Sequence, residues 1–162
     1  MAERANLFTN EWDFEHIGVG VATIAGRAGS ELLGATVYEL APGARWADLH
    51  VHYANEELIA VLTGTPSLYT LDGGRKLAAG DVVACRRGRE GAHRLENESE
   101  EPARVMIVST MLMPEVVEYP EQDRVFVMTE APYTEGVHDP EGYGRLLRVF
   151  ERAEGRPVPP DA

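Results

Sequence analysis

One cysteine, Cys85, in a chain of 162 residues cannot close an internal disulfide, so nothing in the sequence points to an oxidising compartment. Long apolar runs are missing too, with no stretch near the roughly 18 uninterrupted apolar residues that a membrane span needs. The start, Met1-Ala2-Glu3-Arg4-Ala5-Asn6-Leu7, lacks the basic segment and apolar run of a signal peptide. Basic residues are scarce: 15 Lys and Arg stand against 27 Asp and Glu, formally -12 at pH 7. So negative a surface repels phosphate backbones, which argues against a nucleic-acid partner. The expectation is a cytoplasmic protein that binds neither nucleic acid nor membrane. A small-molecule partner stays open, because a pocket can differ in sign from the whole surface.

What is present is enough for one packed core. Hydrophobic residues make up 44% and charged residues 26%, ordinary for a globular chain of this length. From about Gly18 to Met128, short apolar segments are punctuated by Gly, Pro and Asp, the pattern of an all-β sandwich or barrel. Strands are predicted around Leu33–Tyr38, Leu49–Tyr53, Glu57–Leu62, Ser67–Leu71, Val82–Cys85, His93–Asn97, Arg104–Thr110 and Arg124–Met128. Asp72-Gly73-Gly74 marks a hairpin, since Gly tolerates the positive φ that such turns demand. Three regions follow: a strand or extension over 1–33, a barrel over 34–128, and a C-terminal extension over 129–162. That extension is expected to hold a short helix, with Asp139 as N-cap, Pro140 in the first turn and Leu146, Leu147 and Phe150 at helical spacing. A loose tail ends it.

The chemistry concentrates in His50, His52, Glu57 and His93. His50 and His52 are two apart on a strand, so their rings share a face. Glu57 shares a face with Ile59 and Val61, while Leu58, Ala60 and Leu62 occupy the other. Both faces are largely apolar, so the period leaves open which one turns inward. An inward carboxylate is costly without a cation or several donors. His93 follows the loop Arg86-Arg87-Gly88-Arg89-Glu90-Gly91, and by itself it reads first as a structural histidine and only second as a ligand.

Order and spacing resemble the paired motifs of the cupin superfamily, and in particular its small single-domain bacterial members. Gly43, His50, His52, Glu57 and Gly64 fit the first motif, with six residues between Glu57 and Gly64. Gly80, Gly88, His93 and Asn97 resemble the second, with two departures: Arg86 stands where the motif has Pro, and four residues rather than two separate Gly88 from His93. The resemblance covers roughly residues 34 to 108. It implies a double-stranded β-helix, a jelly-roll barrel of two antiparallel sheets with a metal near one mouth. His50, His52, Glu57 and His93 would be the ligands of one divalent transition metal: Fe, Mn or Ni first, Zn or Co as alternatives. It further implies a homodimer, in which apolar residues before Gly34 such as Ile17, Val19, Val21 and Ile24 form a shared strand.

Other residues have plainer readings. Asn97 reads equally as a pocket group or a turn former, Tyr69 as a core aromatic, and Cys85 as a small buried hydrophobe. His16 and His138 are expected in solvent. Arg86, Arg87 and Arg89 form a basic cluster that either draws an anionic substrate or is offset by nearby acids. The leading functional expectation is a metal-dependent enzyme acting on a small oxygen-bearing organic molecule, dioxygenase-like first, isomerase or lyase second. The alternative is a non-catalytic small-molecule-binding or sensor module.

Overall fold

The computed structural model describes residues 4–129, and the backbone of 147–151 and 157–158. Two antiparallel sheets face each other. The first has six strands, in the order β1 (Phe14–His16), β2 (Val19–Thr23), β3 (Gly34–Leu40), β10 (Ala103–Ser109), β5 (Glu57–Thr63) and β8 (Val82–Cys85). The second has eight: β14 (Pro157–Val158), β13 (Leu147–Glu151), β12 (Arg124–Met128), β11 (Glu115–Tyr119), β4 (Arg45–His52), β9 (His93–Glu96), β6 (Ser67–Thr70) and β7 (Gly73–Lys76). The described helical pieces are one four-residue helix, α1 (Ile24–Arg27), and a single turn at Arg89–Gly91. None of the described helices is long and apolar enough to cross a membrane.

The period-2 pattern puts alternate residues into the space between the sheets. Ile59 and Val61 on β5, Val105 and Ile107 on β10, Leu40 on β3, and Leu68 and Leu95 from the other sheet form one apolar cluster. Each such side chain, fully buried, stabilises the fold by about 1.5–3 kcal/mol. Leu58 on the opposite face of β5 is 41% exposed, so the face that carries Glu57 is the inward one. The hairpin forms as expected: Thr70 pairs with Gly73 across a Leu71-Asp72 turn, and Gly73 takes a φ of 125°.

The stretch before Gly34 lies against its own chain, with Val19 opposite Leu40 and Thr23 opposite Thr36. Residues ahead of β2 fold back over the outer face of this sheet, where Leu7 and Trp12 cover Ala22, Ile24 and Val37. Gly20 makes that possible, since a Cβ there would sit 2.6 Å from the Trp12 ring.

The C-terminal helix is a correction. Its described part, Leu147–Glu151, is a strand paired along its whole length with β12, from Arg124↔Glu151 to Met128↔Leu147. The Leu146, Leu147, Phe150 spacing suits a helix, but the free edge of β12 offers a full ladder of hydrogen bonds to a segment that includes Val149 and Phe150. Pro157–Val158, within the expected loose tail, pairs with that strand. Asp139, Pro140 and His138 lie outside the described residues.

Candidate metal centre

Two neighbouring strands of the large sheet, β4 and β9, and one strand of the small sheet, β5, bring the four sequence-derived residues together. Trp46 pairs with Leu95 and His50 with His93, so β4 advances four residues while β9 advances two. The extra residues form a bulge at Ala47, whose φ is 56°. Downstream of it, His50 and His93 stand directly opposite one another with ring centroids 4.4 Å apart, and His52 follows on the same face, 4.9 Å from His50. Glu57 reaches across from the small sheet, its Oε2 2.9 Å from His93 Nε2 and 3.6 Å from His52 Nε2. One donor atom from each of the four lies within 4.8 Å of every other, close enough for a single ion.

Backbone carbonyls set the imidazoles. His50 Nδ1 is 2.8 Å from Asp48 O, and His93 Nδ1 is 2.9 Å from Gly91 O. A carbonyl can only accept, so in each neutral ring Nδ1 carries the proton and Nε2 keeps its lone pair for the centre. The turn that carries the Gly91 carbonyl is itself held: Gly88 N–H donates to His52 O at 2.7 Å and Gly91 N–H to Gly88 O at 2.9 Å. Gly91 admits no side chain, because a Cβ would fall 1.7 Å from Arg86 O. Arg89 pins the same turn to Glu118 on β11 at 2.7 Å, so this cation of the basic cluster is offset by an acid. Arg86 and Arg87 are exposed.

His52 is held by a carboxylate that sequence reasoning missed. Glu115, 1% exposed, places Oε2 3.4 Å from His52 Nδ1, an ion-pair distance rather than a good hydrogen bond. Its charge is met by the backbone N–H groups of Tyr53, Ala54, Asn55 and Val116 at 2.8–3.1 Å and by the Asn55 side-chain amide. Burial opposes that charge, but His52 and these donors hold the Glu115 carboxyl below its ordinary range. The available signal was the alternation Glu115, Val117, Tyr119 against Val116, Glu118. With a glutamate on each face it does not name the inner one.

The donor set fits a cation. His93 Nε2 is buried with no hydrogen-bond partner, since its approach to Glu57 is poorly aligned. An orphaned imidazole nitrogen facing a buried carboxylate and two further imidazoles is the arrangement a divalent ion satisfies. Burial opposes charge on His93, but Cys85 and Glu57 outweigh it and raise that ring to about 10, so an ion bound there displaces a proton from Nε2. Burial opposes charge on Glu57, but the close approach of His93 and the neighbouring imidazoles hold its carboxyl at about 2. Burial, then the charges of His93 and His52, push His50 down to about 3 and keep its ring neutral.

The remaining residues resolve. Asn97 forms the turn, its amide donating to Leu40 O and Glu101 O and its Oδ1 accepting from Ser99. Tyr69 is not in the core: its hydroxyl donates to Glu98, and the Arg94 guanidinium lies 4.8 Å from its ring centroid. Cys85 is buried in the apolar cluster beside Glu57, its partner in register, and His16 is exposed.

Beside the four donors opens a cavity of about 190 Å³, walled by Tyr38, Trp46, Tyr119 and Phe126. A jelly-roll barrel with a His/Glu cluster inside, next to such a cavity, defines the class of protein. Residues 36–109 match the cupin domain family, so this part of the chain is a cupin domain. The fold is similar to a sugar phosphate isomerase of the cupin superfamily from Silicibacter pomeroyi DSS-3, at 22% identity and a TM-score of 0.71, over 89% of this chain and 82% of that one. It is also similar to the polyketide cyclase RemF from Streptomyces resistomycificus (19% identity, TM-score 0.58, 71% and 84% covered). A third is a Cupin 2 conserved barrel domain protein from Salinispora arenicola CNS-205 (21%, 0.50, 58% and 76%). At these identities the likeness concerns the fold. No curated protein matches the sequence.

Proposed function

We propose that this cupin-domain protein is a metal-dependent enzyme for a small oxygen-bearing organic molecule, with His50, His52, Glu57 and His93 holding one divalent transition metal. The observation that carries the reading is the orphaned Nε2 of His93 within a nest of four donors that opens on a cavity. Imidazole with carboxylate suits Fe, Mn or Ni, with Zn and Co as alternatives. When bound, such an ion supplies Lewis acidity toward a substrate oxygen and, if redox-active, a place for dioxygen to react. Dioxygenase chemistry leads, and isomerase or lyase chemistry follows.

The chain's own residues do the rest. The Asp48 and Gly91 carbonyls keep two imidazoles in the binding tautomer, and Glu115 orients the third. The aromatic wall excludes water from the donors. Glu57 is the one carboxylate among the described lining residues, and it fixes the negative charge of the site at the donor end of the cavity. The activity in the name of the Silicibacter protein is not carried over, because no Lys or Arg is among those lining residues to meet a phosphate.

The test is metal content of the purified full-length protein, then oxygen uptake and product formation with enols, diketones and catechols. Turnover that vanishes in His93→Ala supports the enzyme. A metal-loaded protein that binds such compounds tightly and never converts them is a sensor or carrier instead, and a protein that retains no metal refutes both.

A further inference from the structure

The cavity beside the donors is narrow, flat-walled and uncharged on one side. Tyr119 stacks near His50, with planes 29° apart and centroids separated by 5.8 Å, and Phe126 meets Tyr119 edge-on at 4.9 Å. Tyr38 and Trp46 close the other side, centroids 4.6 Å apart. Ala47, Leu95, Ile107, Val117 and Met128 add aliphatic surface to the surround. Among the described lining residues, charge resides only in Glu57 and the imidazoles, all at one end. The space is therefore polar where the four donors stand and apolar elsewhere, with four aromatic side chains in its walls.

Its size restricts the occupant. A cavity of about 190 Å³ compares with the roughly 150 Å³ at which an apolar protein cavity takes up benzene. One six-membered ring with small substituents fills it, and a larger ring system would extend beyond its mouth. A phosphorylated polyol is disfavoured differently: its anion would lose water against aromatic faces with no Lys or Arg among the described lining residues to replace it. Flat walls also select planar over puckered rings, because ring faces and edges contact them fully.

From this we infer that the pocket formed by Tyr38, Trp46, Tyr119 and Phe126 is a subsite for one planar six-membered ring, whose oxygen substituents face His50, His52, Glu57 and His93. The substrate class is a monocyclic aromatic or enolic compound with one or two adjacent ring oxygens. The inference rests on the functional reading above for the orientation of those oxygens. The ring subsite rests on the walls alone.

Two measurements separate the two layers. In the first, phenol and cyclohexanol are titrated into the full-length protein, stripped of metal by a chelator, following Trp46 fluorescence in a Trp12→Phe background and the ring-proton resonances of Tyr119 and Phe126. Phenol is expected to bind at least about fivefold tighter than cyclohexanol. Tyr119→Ala should erase the preference and Tyr119→Phe should keep it, with Phe126→Leu as a second variant should Tyr119→Ala not fold. Equal affinity for the two probes, or a preference that survives both wall variants, overturns the subsite. In the second, zinc-loaded protein is titrated calorimetrically with catechol, glycolate and glucose 6-phosphate. Catechol is expected to bind about tenfold or more tighter than either. Glycolate or glucose 6-phosphate binding as tightly as catechol overturns the assigned substrate class. A protein that takes up no zinc sinks the metal reading, and the phenol titration then still decides the ring subsite.

Discussion

Arg104 on the outer face of the small sheet and His93 between the sheets are buried to a similar degree, 5% and 2% exposed. Their surroundings differ in one respect. Arg104 has every side satisfied: it donates to Glu39 from Nε at 2.9 Å, to Asn10 at 3.1 Å and to Leu7 O at 3.3 Å, and it lies 5.1 Å from the Trp12 ring centroid. It clamps the N-terminal segment onto the sheet. His93 has its Nδ1 satisfied and its Nε2 orphaned, facing Glu57. A buried polar group with all its partners supports the fold, whereas one that lacks a partner in an otherwise well-packed barrel points to something the chain does not itself supply.

Substitutions should separate the two regions. The largest effect is expected from His93→Ala, which removes a donor: metal affinity, measured by competition with a chromogenic chelator, should fall more than about a hundredfold. Unfolding of the metal-free protein should change far less than the buried position suggests. Arg104→Ala should do the reverse, costing about 2–3 kcal/mol in urea unfolding while metal affinity stays unchanged. Glu39, its partner, is 34% exposed and can recover water, which keeps the loss below that of a fully buried pair. Comparable loss of metal from the Arg104 variant would erase the distinction.

Glu115→Gln tests the boundary between the two kinds of group, since Glu115 is fully hydrogen-bonded and also orients His52. It should lower metal affinity by about ten- to a hundredfold and lower the melting temperature as well, because the new amide faces backbone N–H groups. A fall in melting temperature with unchanged affinity would make Glu115 structural only.

The smallest effect concerns Asp13 at the N-terminal clamp. Burial raises its pKa, but Arg27 and Thr23 outweigh burial and leave it below the ordinary 3.8. A depressed carboxyl contributes stability above its unfolded value, and the contribution is lost as pH falls through the folded value. Asp13 and Arg27 are 36% and 29% exposed, so screening limits the contribution to under about 1 kcal/mol. Asp13→Asn should flatten the stability profile below about pH 4 and leave it alone near neutrality, as followed by urea unfolding at several pH values.

Much of this protein was legible in its residues. Period-2 alternation located most barrel strands, and the spacing of His50, His52, Glu57 and His93 singled out the four donors that the fold gathers within 4.8 Å. Alternation fails where both faces look alike. Glu57 on β5 and Glu115 on β11 each sit on strands whose two faces are similar in composition, and β11 escaped notice altogether. Leu147–Glu151 misled for a related reason, since a short apolar segment suits a helix or a strand until a free edge is at hand.

By itself the sequence determined which side chains could hold a metal and which positions along each strand share a face, because both depend on residue identity and local backbone geometry. Tertiary structure alone decided that Glu57 turns inward, that the bulge at Ala47 sets His50 opposite His93, that Glu115 stands behind His52, and that β12 recruits a C-terminal strand. Those outcomes depend on register and pairing between segments far apart in the chain, and a local pattern does not contain that information.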